Sequence, residues 1–403
     1  MFKKSKNKFK GRVLYYGQCY YNAWYLSREL RKLGWKADVV NYNENENDQM
    51  YYHGEDFRFR WSKISNVIPH ILFYIRTFFS YDIIHFSGAG GIGFLWQFYK
   101  LFRKFKIDKF LPERWDIRLL KLAGKKIVYS NNSCLDGVSQ TSFSKWGPEN
   151  VCRDYCIWYN HPEVCSDKKN LAWGKTRNEL ADYQCTLGGN RADYNNDPRV
   201  HEAPWFYCLD KDFWSPDLLI PTNYRLPIAK DVIKIYHSVG NFESRTAAIN
   251  SKNIKCTHIY IPLIERLKKE GYKVELIFFY DVPNKKLRYY QVQADIIVDM
   301  LTFGFFGANV REGMMLGIPC VCYLRPEWLA SMRKEIPEYV DKLPVISATP
   351  ETIYDVLKDL IKNPEKRKEI GRQSREFALK FHSSDVAAKK FEQIYLNLLG
   401  NKK

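Results

Sequence analysis

Apolar positions recur along the chain with two periods. Arg12-Val13-Leu14-Tyr15-Tyr16 is a short apolar run that stops at Gly17. Trp24, Leu26, Leu30 and Leu33 then follow at helical spacing as far as Gly34, and residues 37–40 form a second apolar run. Strand, helix, strand is the unit of a parallel α/β sheet. Residues 81–86 predict another strand, closed by the glycine-rich stretch 87–93; 94–106 has the length of a helix, and 125–130 reads as a further strand. Periodicity disappears over 131–225, which is rich in Cys, Trp, Asn, Asp and Pro; 180–187 is its best strand or helix candidate. The segment is too long for a plain connection. From Asp231 the alternation returns, with strands over 232–236, 273–280, 294–300 and 319–324, and helices over 258–270, 284–293 and 311–316. Helices over 351–362, 364–381 and 385–399 close the chain. The pattern predicts two Rossmann-like α/β domains facing a cleft, 1–228 and 229–383, with a closing helix in 384–403. Ligands then bind at the strand C-termini that face the cleft.

Composition narrows the function classes. The chain has 403 residues, 45% hydrophobic and 27% charged, which excludes a disordered polymer. Lys and Arg number 63 against 45 Asp and Glu, and a net charge of +18 favours an anionic partner. Nothing resembles a helix-turn-helix, RNP or zinc-finger module, so nucleic acid is not the expected partner. The start is basic but lacks a secretory apolar stretch, and the most apolar window, 64–79, is broken by Pro69, His70 and Arg76. A cytoplasmic protein without a membrane span is expected. Cys134, Cys152, Cys156 and Cys165 share the irregular segment. A thiolate zinc site is one reading, but the C-x3-C spacing is not that of a common zinc ribbon, and buried free thiols are expected instead. In 94–106, Phe94, Leu95, Phe98, Leu101, Phe102 and Phe105 share one helical face, opposite Lys100, Arg103, Lys104 and Lys106. That is the pattern of a helix lying on anionic lipid, as well as of a core-packed helix with a solvated basic side. Peripheral attachment to the inner face of a membrane is the expectation drawn.

Candidate chemistry is concentrated in two places. Gly88-Ala89-Gly90-Gly91-Ile92-Gly93 matches G-x-G-x-x-G. It follows a later strand, however, and the next strand ends in Ser130-Asn131-Asn132, with no carboxylate for a ribose; a cleft-facing loop is expected there. In 294–323 a strand ends near Met300, a loop containing Gly304 and Gly307 follows, and a helix carries Glu312. Helix N-terminal amides after a glycine turn suit a diphosphate, and a carboxylate one turn further suits a ribose diol.

This last stretch resembles the donor-site signature of the retaining, family 4 glycosyltransferases of the GT-B fold, through Phe306, Gly307, Glu312, Gly313, Met314, Gly317, Pro319 and Val321. The resemblance extends to 350–381, to the segment after Ser384, to Ile254-Lys255-Cys256-Thr257 with Lys273-Val274-Glu275-Leu276, and to Gly17 and Asp82-Ile83-Ile84-His85. It implies a GT-B fold whose last helix crosses back to the N-terminal domain. It also implies a cofactor-independent sugar transfer, with retention, from a nucleotide-activated donor to a saccharide or lipid-linked acceptor in surface polysaccharide synthesis. Arg245 and Lys255 would hold the diphosphate with the turn at Gly307 and Ala308, and Glu312 the ribose. Gly17 and Gly88 would lie in acceptor-side loops, and His85 would be the catalytic cleft residue. The chain departs from the family in three places: the first of the paired acids falls on Gly304, with Asp299 as a nearby substitute; His-x-His is His85-Phe86-Ser87; and Lys-Gly is Lys255-Cys256. A catalytically silent GT-B scaffold and a GT-B nucleotide-sugar epimerase are the alternatives.

Overall fold

The computed structural model describes residues 9–42, 50–60, 67–87, 93–95, 106, 111–130, 136–145, 149–186, 191–247 and 252–400. Two sheets, parallel throughout, organise it. The first contains β1 (Arg12–Tyr16), β2 (Lys36–Asn41), β3 (Phe57–Arg58), β4 (Ile83–Phe86), β5 (Lys126–Ser130), β6 (Tyr183–Thr186) and β7 (Val200–Glu202), in the order β3-β2-β1-β4-β5-β6-β7. The second contains β8 (Ile233–Val239), β9 (Val274–Tyr280), β10 (Ile296–Val298), β11 (Cys320–Cys322) and β12 (Ile346–Ser347), in the order β12-β11-β10-β8-β9. Parallel strands are covered on both faces, so they read as continuous apolar runs; all four residues of β4 are buried. Each sheet reverses its strand order once, at β1/β4 and at β8/β10, and such switch points are where open α/β sheets leave a crevice for ligand.

The segment without periodicity is structured. It supplies β6 and β7, which extend the first sheet, and helix Asp167–Leu180, whose N-terminus is capped by Ser166 Oγ accepting the Lys169 amide. The element expected over 180–187 is the junction between that helix and β6. Helix Ala308–Met315 starts three residues earlier than its apolar pattern indicates, with Gly307 at the N-cap. Its Gly313 lies against β10 and β11: a Cβ there would stand 2.6 Å from Ile297 Cδ1 and 2.7 Å from Cys320 Sγ. Window 64–79, unassigned from the sequence, holds helix Val67–Ser80. Among the described residues no helix is long and apolar enough to cross a membrane.

The closing helix, Ser384–Leu398, returns to the first sheet. Glu392 Oε1 accepts from Lys10 Nζ and from Trp35 Nε1, each at 3.0 Å, and Tyr395 shares a 2.9 Å hydroxyl–hydroxyl bond with Tyr15 on β1. Just before it, Leu209 pairs with Ser383, so the chain between the sheets and the closing helix are laced together.

Candidate functional site

The C-terminal ends of β1 and β8 meet across a cleft of about 50 Å3 that is open to solvent. The second-sheet side is built from Ser238, Val239 and Gly240 at the end of β8, Arg245, Lys255, and Ala308 and Asn309 at the start of helix Ala308–Met315. Tyr20 and Tyr51 close it from the first-sheet side. Gly240 admits Tyr51: a Cβ on Gly240 would stand 1.6 Å from the Tyr51 hydroxyl oxygen. A larger hollow of about 400 Å3 beside helix Pro364–Phe381 contains none of the predicted site residues.

Positive charge and amide donors converge in the cleft. Lys255 Nζ pairs with buried Asp299 at 2.5 Å, and the other Asp299 oxygen accepts the Gly307 amide at 3.2 Å. Gly307 allows this approach, since a Cβ on it would lie 2.9 Å from Lys255 Nζ. Arg245 makes no ion pair among the described residues, so its charge is uncompensated by any close carboxylate there. The first N–H groups of helix Ala308–Met315 have no partner inside the helix, which is general for a helix N-terminus. Arg245, Lys255, Gly307 and Ala308 are thus brought together.

Glu312 lies one layer below the cleft. Its carboxylate is buried, and three donors saturate it: Tyr21 Oη at 2.8 Å and Asn284 Nδ2 at 2.9 Å on Oε1, and Gln291 Nε2 at 2.7 Å on Oε2. Burial raises its pKa, and the bonds from Gln291, Asn284 and Tyr21 oppose the rise. The expected open ribose contact is therefore not the arrangement observed. Helix Ala308–Met315 begins before the predicted start, so Glu312 falls in its second turn, facing Asn284 and Gln291. Asn284 joins the two halves, since its Oδ1 also meets His53 Nε2 at 2.8 Å.

His85 is corrected. It is completely buried, bonded to Ser130 on β5 and at 2.7 Å to Tyr395, and burial pushes its pKa down to about 3. Side chains alternate along a strand, so His85 shares the face of Ile83 that the closing helix covers, not the end of the strand. Gly17 ends β1 at φ +82, its amide on the Val40 carbonyl, and turns the chain toward Tyr20. Gly88 lies outside the described residues, as do Lys100, Arg103 and Lys104. Phe94 and Leu95, at the start of the expected 94–106 helix, are buried, with both amides on Asp116 Oδ2.

Gly304 has a structural cause. Its φ of +97 is unfavourable for any side chain, and a Cβ would lie 2.8 Å from Cβ of buried Arg325. Arg325 occupies the space an acid at 304 would need, and burial pushes its pKa down to about 10. Asp299, the nearby acid, is buried and bonded to Lys255 and to the Gly307 amide. Cys152 packs among Phe143, Val151, Met300 and Phe303, while Cys165 Sγ accepts from Gln140 and Asn170. Cys134 lies outside the described residues, and no cluster of metal-ligating side chains occurs among those described.

Sequence reasoning missed Tyr20, Tyr21, Tyr51, Asn284 and Arg311. The Tyr20-Tyr21 pair, three residues after Gly17, was the available signal; the others carry none, because they act across the two halves. Arg311 is buried, stacks 4.4 Å over Tyr207, and forms no ion pair among the described residues.

Neither a protein-family model nor a curated relative matches the sequence. Solved structures match nearly end to end. A glycosyltransferase from Rickettsia africae aligns at TM-score 0.54 and 10% identity, over 98% of this chain and all of that one. Sucrose-phosphate synthase from Thermosynechococcus elongatus aligns at 0.54 and 15%, over 98% of this chain and 100% of that one. HepE from Anabaena, solved with UDP and glucose, aligns at 0.55 and 10%, over 96% of this chain and 99% of that one. The shared fold is GT-B, two Rossmann-like halves facing a cleft.

Proposed function

We propose that the protein is a glycosyltransferase that moves a sugar from a nucleoside diphosphate sugar to a saccharide or lipid-linked acceptor. The observation that carries this reading is the convergence of Arg245, Lys255 and the N-terminus of helix Ala308–Met315 at the switch point of the second sheet. Two cations and a helix N-terminus suit a diphosphate, whose charge is spread over two phosphoryl groups. The GT-B neighbours, one of them solved with UDP and a sugar, support the same reading.

In the reaction an acceptor hydroxyl oxygen forms a bond to the anomeric carbon, and the bond from that carbon to the diphosphate oxygen breaks. The electron pair leaves with the nucleoside diphosphate, whose departing oxygen takes up the hydroxyl proton. Charge grows on the leaving oxygens, where Arg245, Lys255 and the helix amides stabilise it. Lys255 changes partner, from Asp299 toward the diphosphate. Glu312 takes the ribose hydroxyls once Tyr21 withdraws, while Asn284 and Gln291 keep its carboxylate oriented. The acceptor enters from the Gly17–Tyr20 side, and the family resemblance implies transfer with retention.

Calorimetric titration with uridine and with UDP tests this. Arg245→Ala and Lys255→Ala should each weaken UDP binding about tenfold, a loss of 1.4 kcal/mol, and leave uridine binding unchanged. Glu312→Gln, which removes a charge-assisted bond worth roughly 1.5–3 kcal/mol, should weaken both. If all three variants bind both ligands like the wild type, the donor-site assignment is wrong.

A further inference from the structure

Helix Val67–Ser80 packs His70, Phe73, Tyr74 and Thr77 onto the first sheet. Its outward face is apolar as well: Ile68, Leu72, Ile75 and Phe79 recur at spacings of four, three and four and are 67, 60, 49 and 75% exposed. A helix covering a sheet normally turns charged residues to water. This one carries a single charge, Arg76, and no acid.

The neighbouring helix, Trp115–Leu122, covers the same face of the sheet; Tyr74 Oη donates to the Asp116 carbonyl at 2.6 Å, and Ile117 and Leu120 join Phe73 and Tyr74 in one core. It too turns apolar residues outward, Leu119 and Leu122. These two neighbouring helices therefore leave six large apolar side chains exposed on the sides away from their common core, more than scattered exposure accounts for.

Cations border that surface. At the C-terminal end of helix Val67–Ser80, Arg12 donates to the Phe79 carbonyl at 2.8 Å and Lys36 to the Ser80 carbonyl at 3.4 Å. Arg76 stands close enough to Lys36 to add to the lowering of its pKa by burial. Lys121, paired with Asp182 at 2.9 Å, and Lys125 lie at the end of the second helix. Arg12 and Lys121 are paired with Asp82 and Asp182, and Asp38 with Arg31, so Arg76, Lys36 and Lys125, for which no ion pair occurs among the described residues, leave the rim positive on balance.

We infer that the outer surface of helices Val67–Ser80 and Trp115–Leu122 docks the protein onto an anionic lipid bilayer, Ile68, Leu72, Ile75 and Phe79 entering the acyl boundary and Arg76, Lys36 and Lys125 facing the headgroups. Apolar side chains with a cationic border match the two layers of such an interface. An apolar protein partner would satisfy the stripe but not the border, and an acidic protein the border but not the stripe. The surface lies on the half that faces the acceptor side of the cleft. The assignment does not depend on donor chemistry, so loss of nucleotide binding would leave it standing.

The test is co-sedimentation of the full chain with vesicles of phosphatidylcholine alone and with phosphatidylglycerol added. The wild type should sediment with the anionic vesicles, at least about tenfold more than with the neutral ones. Leu72→Glu/Phe79→Glu should abolish sedimentation with an unchanged thermal midpoint and UDP affinity, since both side chains already face water. Arg76→Glu should weaken it while leaving the apolar stripe intact. Wild-type protein that stays in the supernatant overturns the inference, and so does a Leu72→Glu/Phe79→Glu protein that sediments normally. Sedimentation lost only in Lys100→Glu/Arg103→Glu/Lys104→Glu would move the membrane contact to 94–106 and overturn it equally. A dimer in vesicle-free solution that Leu72→Glu/Phe79→Glu dissociates, without wild-type vesicle binding, would show that a second copy covers the face.

Discussion

At the scale of single residues, the site depends on what small side chains leave open. Gly307 brings its amide to Asp299 and leaves room for Lys255, and Gly240 admits the Tyr51 hydroxyl. Gly304 is a different case, held at positive φ against Arg325. Restoring an acid there should therefore damage the protein. Gly304→Glu is expected to lower unfolding stability by about 1–3 kcal/mol from backbone strain alone, read from urea midpoints, and not to create a sugar contact. Equal stability would mean that the loop readily turns away from Arg325. Tyr21 offers the converse test, because its hydroxyl occupies the Glu312 oxygen that a ribose would use. Tyr21→Phe removes one competing hydrogen bond, worth about 1 kcal/mol, so uridine should bind a few-fold more tightly by calorimetry. Unchanged or weaker binding would mean that ribose does not displace Tyr21.

At the scale of elements, the closing helix decides the fate of a strand residue. His85 lies at the end of an Asp-Ile-Ile-His run, and its placement follows from the alternation of side chains along β4 and from what lies over that face. Tyr395 bonds both His85 and Tyr15, so one hydroxyl ties helix Ser384–Leu398 to β1 and β4. Tyr395→Phe leaves two buried partners short of a bond and should cost about 1–3 kcal/mol. It should also speed limited proteolysis of the C-terminal helix while UDP binding stays normal. Equal protease resistance would mean that packing alone holds the helix.

At the scale of the whole molecule, the halves meet through Tyr21–Glu312 and His53–Asn284, and several buried histidines set the acid limit. His53, His70, His85 and His382 are each pushed down to about 3, first of all by burial. A folded pKa below the unfolded value of 6.5 means that the unfolded chain takes up protons the folded one refuses. Their contribution is present above pH 6.5 and lost as pH falls toward 3. Buried Glu312 and Asp136 have raised pKa values and act in the opposite sense, with stability fully present only below the ordinary carboxylate range and lost as pH rises. His237, fully buried and pushed down to about 4, adds to the four, and the histidines set the direction. The thermal midpoint should fall steadily from pH 7 to pH 4, and His85→Gln should make the slope shallower. A flat profile would contradict the burial of these rings.

The sequence by itself determined the α/β alternation, nearly every strand of the second sheet and the loop that gathers Lys255, Gly307 and Ala308. Continuous apolar runs and glycine stops are local signals, and parallel strands buried on both faces express them fully. The irregular segment gave no period, because β6 and β7 are short and its helices depend on packing and on caps such as Ser166. Only the tertiary structure decided that His85 is core, that Glu312 is sealed by Tyr21 and Asn284, and that Arg325 excludes an acid at 304. Each of these is a contact between residues tens to hundreds of positions apart, and local periodicity holds no record of which distant side chain arrives.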